Sequence, residues 1–165
     1  MNKLITLLTI VTLGVSLVKS PLTFDQMTIE QRAEAVGLSV EEFELFSGVV
    51  EAESNRCQDD TEGRRYIALC ILCRVMDSRF PDTIEGVLTQ SGQFSTVRNG
   101  HSVTSRTDLS DRAVIEAVEW INSGEEYPWL LFFNCRNYFG GYEAYGCYGG
   151  NFFSVAEPML PDKFG

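Results

Sequence analysis

A carboxylate is the first side chain in this 165-residue sequence that is placed to do chemistry. Phe43, Phe46, Val50 and position 53 recur at three- and four-residue steps, so the apolar stripe of one helix runs into Glu53. A carboxylate on an apolar stripe loses hydration, which disfavours its charged form and raises its pKa. Position 53 also falls in the last turn expected of that helix, where the negative end of the helix dipole acts in the same direction. Both effects favour a protonated acid near neutral pH, as a general acid in glycosidic bond cleavage requires. Glu51, about 200° round the helix, is expected to face solvent. The same pattern also suits a helix-end Glu53 that is merely salt-bridged to Arg56 or Arg74.

Nucleophiles and metal ligands offer less. His101 is the single histidine, so a His-rich metal site is excluded. A cysteine amidase or peptidase would need Cys57 or Cys135 activated by that one imidazole. Beside the turn signal Asn99-Gly100, however, His101 reads as solvated. Cys70 and Cys73 lie on one face of the apolar run Tyr66 to Cys73, where cysteine packs as a small hydrophobe. Cys135 and Cys147 flank a Gly/Tyr-rich loop and are the pair best placed for a disulfide, although spacing leaves the connectivity open.

The elements that must position these groups can be read from caps and periodicity. Ser39 and Glu42 form a capping box that opens the helix ending near Glu53. Asp59 and Glu62 form a second, opening a helix to Met76 or Asp77 that is apolar enough to be central. A short helix follows around Thr83 to Leu88, then a loop and short strand over Gln90 to Val97. Asp108 to Ser123 is helical, with Gly124 as its stop. Trp129 to Asn134 reads as a buried strand, and residues 135–154 as Gly/Tyr/Phe-rich and helix-poor. The expected fold is a mainly helical α+β domain with a small irregular β region.

Thirteen basic against 23 acidic residues give a formal charge of −10, which argues against nucleic acid as a partner. Lys3 followed by the apolar run Leu4 to Val18 marks residues 1–20 as a signal peptide or N-terminal anchor, too short for an ordinary membrane span. Either reading puts the folded domain outside the cytoplasm, in the cell envelope or the medium. Residues 21–38 are expected to be a linker containing a short helix, Thr28 to Ala35, and residues 39–165 the catalytic domain.

Several segments together carry a family resemblance. They are Val49-Val50-Glu51-Ala52-Glu53, Glu62-Gly63-Arg64, Leu72-Cys73-Arg74-Val75, Ser78-Arg79-Phe80-Pro81-Asp82-Thr83 through Leu88, Gly92-Gln93-Phe94-Ser95, and Gly149-Gly150-Asn151-Phe152-Phe153-Ser154. In this order and with compatible gaps, residues 45–154 resemble the spore-cortex-lytic cell wall hydrolases of the SleB/CwlJ type. The resemblance implies a lysozyme-like domain that cuts the glycan strand of peptidoglycan, by lytic transglycosylase or muramidase chemistry, with Glu53 as its one catalytic acid. It requires no metal and no organic cofactor. Water as acceptor would instead call for a second carboxylate, for which the sequence offers Asp59, Asp60 and Glu62.

Around Glu53 the resemblance and the composition suggest Gln93, Phe94, Ser95, Tyr142, Tyr145 and Asn151 as substrate contacts and Arg74 as a supporting cation. Phe94 can alternatively plug the core, and Arg74 can pair on the surface. Two positions depart from the family pattern: Cys73 stands where Asn is usual, and Asn151 where His is usual. Asn151 bonds hydrogen but does not titrate near neutral pH. A non-catalytic wall-binding or spore-envelope protein would share these features. A chain without a separate wall-binding repeat would depend on an auxiliary targeting protein.

Overall fold

The structure, a computed structural model, describes residues 22–54, 60–94, 97 and 106–160. The expected leader at 1–20, Arg56, Cys57, Asp59, Ser95, the Asn99-Gly100 turn and His101 lie outside the described residues. Five helices come from caps written in the sequence. Thr28, Ser39 and Thr107 each accept from the backbone N–H three residues on, while Gln31, Glu42 and Ser110 return a bond to the cap's own N–H. They open α1 (Ile29–Ala35), α2 (Val40–Glu53) and α5 (Asp108–Ser123). Thr83 caps α4 (Ile84–Thr89), and Gly124, at φ +75°, ends α5. The N-cap of α3 (Thr61–Met76) is Asp60, which accepts from Gly63 N at 2.9 Å. The box expected from Asp59 is therefore displaced by one residue, and Glu62 takes no part in it.

Every residue of α3 from Tyr66 to Arg74 is buried, because α2, α4, α5 and the sheet pack around it. Cys70 and Cys73 are among them, both free thiols in the core. The expected linker is instead part of the packed body: Ala33 and Val36 enter the core, and Arg32 bonds Asp108 and Asp111 of α5, both at 2.7 Å. Its polar, mixed-sign sequence conceals this because the tether is an ion cluster. Gln90 to Phe94 is turn, with Gly92 at φ +83°, in keeping with the loop part of the loop and short strand expected over 90–97, and no strand appears among the described residues of that span.

The sheet is antiparallel, ordered β1 (Leu130–Asn134), β3 (Asn151–Val155), β2 (Glu143–Tyr148). Gly149 and Gly150, at φ +58° and +74°, make the two-residue β2–β3 turn that only residues tolerant of positive φ can form. That turn lies against the first turn of α3. A Cβ on Gly63 would fall 2.8 Å from Gly149 Cα, so the approach depends on glycine. Cys135 and Cys147 are both free and exposed, which corrects the expected bridge. Asn134 and Cys147 pair with the same residue, Phe152, from opposite sides. Strands two places apart are separated by about 9.5 Å, beyond disulfide reach.

Candidate active site

Helix α2 ends at Glu53, and Ser54 closes it by bonding its hydroxyl back to Val50 O. Glu53 opens onto a cavity of about 400 Å³ lined by Ala52, Arg74, the turn Gly92-Gln93-Phe94, the end of β1 (Phe133, Asn134, Cys135), Phe139 and Asn151. Two helices, α2 and α3, and two strands, β1 and β3, thus converge on one carboxylate. Burial is the larger influence on Glu53 and raises its pKa, and the positive charge of Arg74 offsets only part of it. The helix C-terminus adds to the rise. Among the described residues the carboxylate has no ion pair and accepts no hydrogen bond, so the acid faces the cavity unengaged.

Arg74 does not pair on the surface. It is buried, donates Nε–H to Leu131 O at 2.8 Å and Nη1–H to Gln93 Oε1 at 2.9 Å, and lies against the rings of Phe80, Phe94 and Phe132. One guanidinium therefore ties α3 to β1 and to the 92–94 turn while supplying positive charge near Glu53. Asn151 is buried and donates Nδ2–H to Glu53 O at 3.3 Å, which joins the start of β3 to the last turn of α2. Gln93 is exposed at the cavity wall. Phe94 is 3% exposed and packs toward Phe133, with ring centres 6.4 Å apart. It is cavity floor and core rather than a free stacking surface.

The structure does not bring Tyr142 or Tyr145 to the cavity lining. Tyr145 is the extra residue of a β-bulge, between Ala144 paired with Ser154 and Gly146 paired with Phe153. The bulge reverses the alternation, so Tyr145 and Tyr148 both turn to Tyr66 of α3, at 5.3 and 4.6 Å between ring centres. The Tyr145 and Tyr66 hydroxyls share a hydrogen bond of 3.2 Å. Tyr142 rests on Phe132, 4.4 Å away. The lining residues Phe133, Asn134 and Phe139 were not singled out from sequence, and Cys135 was considered only as a thiol nucleophile or a disulfide partner. Their signal was the strand 130–134 itself, whose end had to point somewhere.

Glu51 does not face solvent as expected. It accepts from Arg64 Nε and Nη2, both at 2.9 Å, and from Thr107 Oγ1 at 2.7 Å. Burial alone would raise its pKa, but these bonds and the Arg64 charge outweigh it and hold the carboxyl low. Two acids two residues apart on α2 thus have opposite environments. Glu51 is held in its charged form by its partners, whereas burial favours the neutral form of Glu53. Of the other carboxylates considered as partners, Asp60 caps α3, and Glu62 is exposed beside Arg65, 3.7 Å away.

Comparison with known proteins places this arrangement. A family model described as Cell Wall Hydrolase matches residues 58–141, about half of the chain and inside the 45–154 span that carries the resemblance. The chain belongs to the cell wall hydrolase family. Within that family it is 30% identical over 99 residues to a spore cortex-lytic enzyme of Oceanobacillus iheyensis, covering 59% of this chain and 34% of that one. A spore cortex-lytic enzyme of Bacillus cereus is 28% identical over 99 residues, 59% of this chain and 36% of that one. The match spans about a third of the length of these relatives.

Two solved structures share the fold. The catalytic domain of the Bacillus cereus SleB protein superposes with a TM-score of 0.57 at 20% identity, over 70% of this chain and 91% of that one. The catalytic domain of the germination-specific lytic transglycosylase SleB from Bacillus anthracis gives 0.58 at 21%, over 72% and 97%. The mainly helical α+β fold expected from sequence is that of these cell wall hydrolase domains.

Proposed function

We propose that this chain cleaves the glycan strand of peptidoglycan with Glu53 as its single acid and base. The observation that carries the reading is that Glu53 is the one carboxylate lining the cavity among the described residues, half-buried and raised in pKa. Hydrolysis by paired carboxylates places the second about 5–5.5 Å away for retention or about 6.5–9.5 Å for inversion. Of the carboxylates the sequence offers as a second, Asp60 caps α3, Glu62 lies beside Arg65 and Asp59 lies outside the described residues; among the described residues this favours a route that needs one carboxylate only. Protonated Glu53 would donate to the bridging oxygen as the oxocarbenium-like state forms. The resulting carboxylate would take the proton of the muramoyl C6 hydroxyl, whose oxygen closes a 1,6-anhydro ring on C1. The proton count balances, and the acid is restored.

The side-chain amides of Gln93, Asn134 and Asn151 give the cavity uncharged donors and acceptors of the kind that N-acetyl and hydroxyl groups take. The relatives' names and an expected export signal point to spore cortex or wall as the place of action, with the body from residue 22 to 160 as the catalytic unit. The test is digestion of purified cortex and vegetative peptidoglycan, with mass spectrometry of the soluble glycan. Products lighter by one water mark the anhydro route. Glu53→Gln keeps the shape and removes the proton, and should lower release by about 10²–10⁴-fold. Release unchanged by that substitution would remove Glu53 from the chemistry, whereas a parent that binds the wall and releases nothing would leave a wall-binding role.

A further inference from the structure

Phe139 and Tyr142 are among the most exposed large apolar side chains described, at 41% and 38%. They are also held in place. Phe139 N–H bonds Ser154 Oγ of β3 at 3.2 Å, and Tyr142 N–H bonds Phe139 O at 3.4 Å, closing a turn through Gly140 and Gly141. Gly141, at φ +87°, takes the left-handed position such a turn demands. Both rings rest on Phe132, Phe139 stacked at 4.9 Å and Tyr142 tilted at 4.4 Å. Hydrophobic surface kept in water on a braced turn marks a binding site more often than it marks packing.

We infer that Phe139, Phe132 and Tyr142 form a stacking platform that extends the Glu53 cavity and carries further pyranose rings of a glycan strand. The inference rests on the glycan-cleaving role proposed for the cavity. Phe139 supplies the continuity, because it lines the cavity and also belongs to the platform. A sugar chain leaving the cavity past Phe139 meets Tyr142 next. Pyranose rings have apolar C–H faces that lie flat on aromatic rings, while their rims keep hydroxyls in water. An uncharged aromatic surface on a protein of net charge −10 suits a saccharide better than an anionic polymer.

The platform is tested in the Glu53→Gln background, where binding is read without turnover. Affinities for a peptidoglycan disaccharide and for longer glycan chains are measured by calorimetry, with Leu22→Ala, an exposed apolar residue elsewhere, as control. The parent should bind longer chains more tightly than the disaccharide. Tyr142→Ala and Phe139→Ala should each erase about tenfold of that gain, the equivalent of one aromatic contact. Disaccharide affinity should stay unchanged in Tyr142→Ala. With an intact Glu53, Tyr142→Ala should raise KM on long chains and spare kcat. Long-chain affinity equal to the parent's in both variants overturns the platform while leaving the proposed cleavage standing. Self-association of the parent that both variants abolish, with unchanged saccharide binding, assigns the surface to a second copy and also overturns it. A parent that binds no glycan and releases none defeats both readings together.

Discussion

Replacing Gly63 by alanine tests how the fold brings Asn151 to Glu53. The added methyl would lie 2.8 Å from Gly149 Cα, 2.9 Å from Gly149 N and 3.2 Å from the carbonyl carbon of Tyr148. These are backbone atoms of a tight hairpin turn, so no side chain can swing aside. Overpacking of this kind costs about 1–3 kcal/mol. Alanine returns up to about 1 kcal/mol through its better helix propensity. Against backbone the cost falls in the upper half of that range, so the net loss is about 1–2 kcal/mol, which for a domain of this size lowers Tm by about 2–8 °C. Because the displaced turn leads directly into Asn151, glycan release per folded molecule should fall as well. Circular dichroism melts of Gly63→Ala are compared with Gly140→Ala, where a methyl meets nothing within 4 Å and Tm should hold. A Gly63→Ala melt at or above that of the parent would refute the close approach of α3 and the hairpin.

The remaining predictions separate the two acids, the cation and the thiols. Glu51→Gln should destabilise by about 3 kcal/mol in urea titrations, since it breaks a largely buried ion pair with Arg64, and should leave the pH profile of catalysis in place. The folded Glu51 carboxyl lies below its ordinary 4.5, so its contribution is complete above that pH and is lost as pH falls through the folded value. The acid limb of stability should therefore be shallower in Glu51→Gln. Arg74 lowers the pKa of Glu53, so Arg74→Met should move the alkaline fall of kcat/KM to higher pH, and the charge-keeping Arg74→Lys should restore it. Iodoacetamide should label Cys135 and Cys147 in the folded protein, and reach Cys70 and Cys73 only after unfolding.

The helices and the acid were legible because their signals are local. Ser39, Glu42 and the Phe43–Phe46–Val50 stripe determine α2 and its end without reference to the rest of the chain, and Glu53 stands at that end. Non-local partners were not legible. Nothing within α2 announces that Arg64 and Thr107 converge on Glu51, or that Arg32 holds Asp108 and Asp111 across 76 and 79 residues. The late region was misread for a third reason. Gly149-Gly150 is a recognisable two-residue hairpin signal, but the bulge at Tyr145 changes which face each tyrosine takes. A one-residue shift in register moved Tyr145 from the expected cleft to α3.

That bulge has a second effect, at the rim of the sheet. With β3 in the middle, β2 presents one side without a neighbouring strand among the described residues. A long flat strand there would be a template on which other chains could add and grow into fibrous assemblies. Six residues interrupted at Tyr145, with Glu143 at the start and Gly146 in the middle, offer poor templating. The irregularity that turns Tyr145 toward α3 thereby also leaves this rim a poor place for the protein to polymerise with itself.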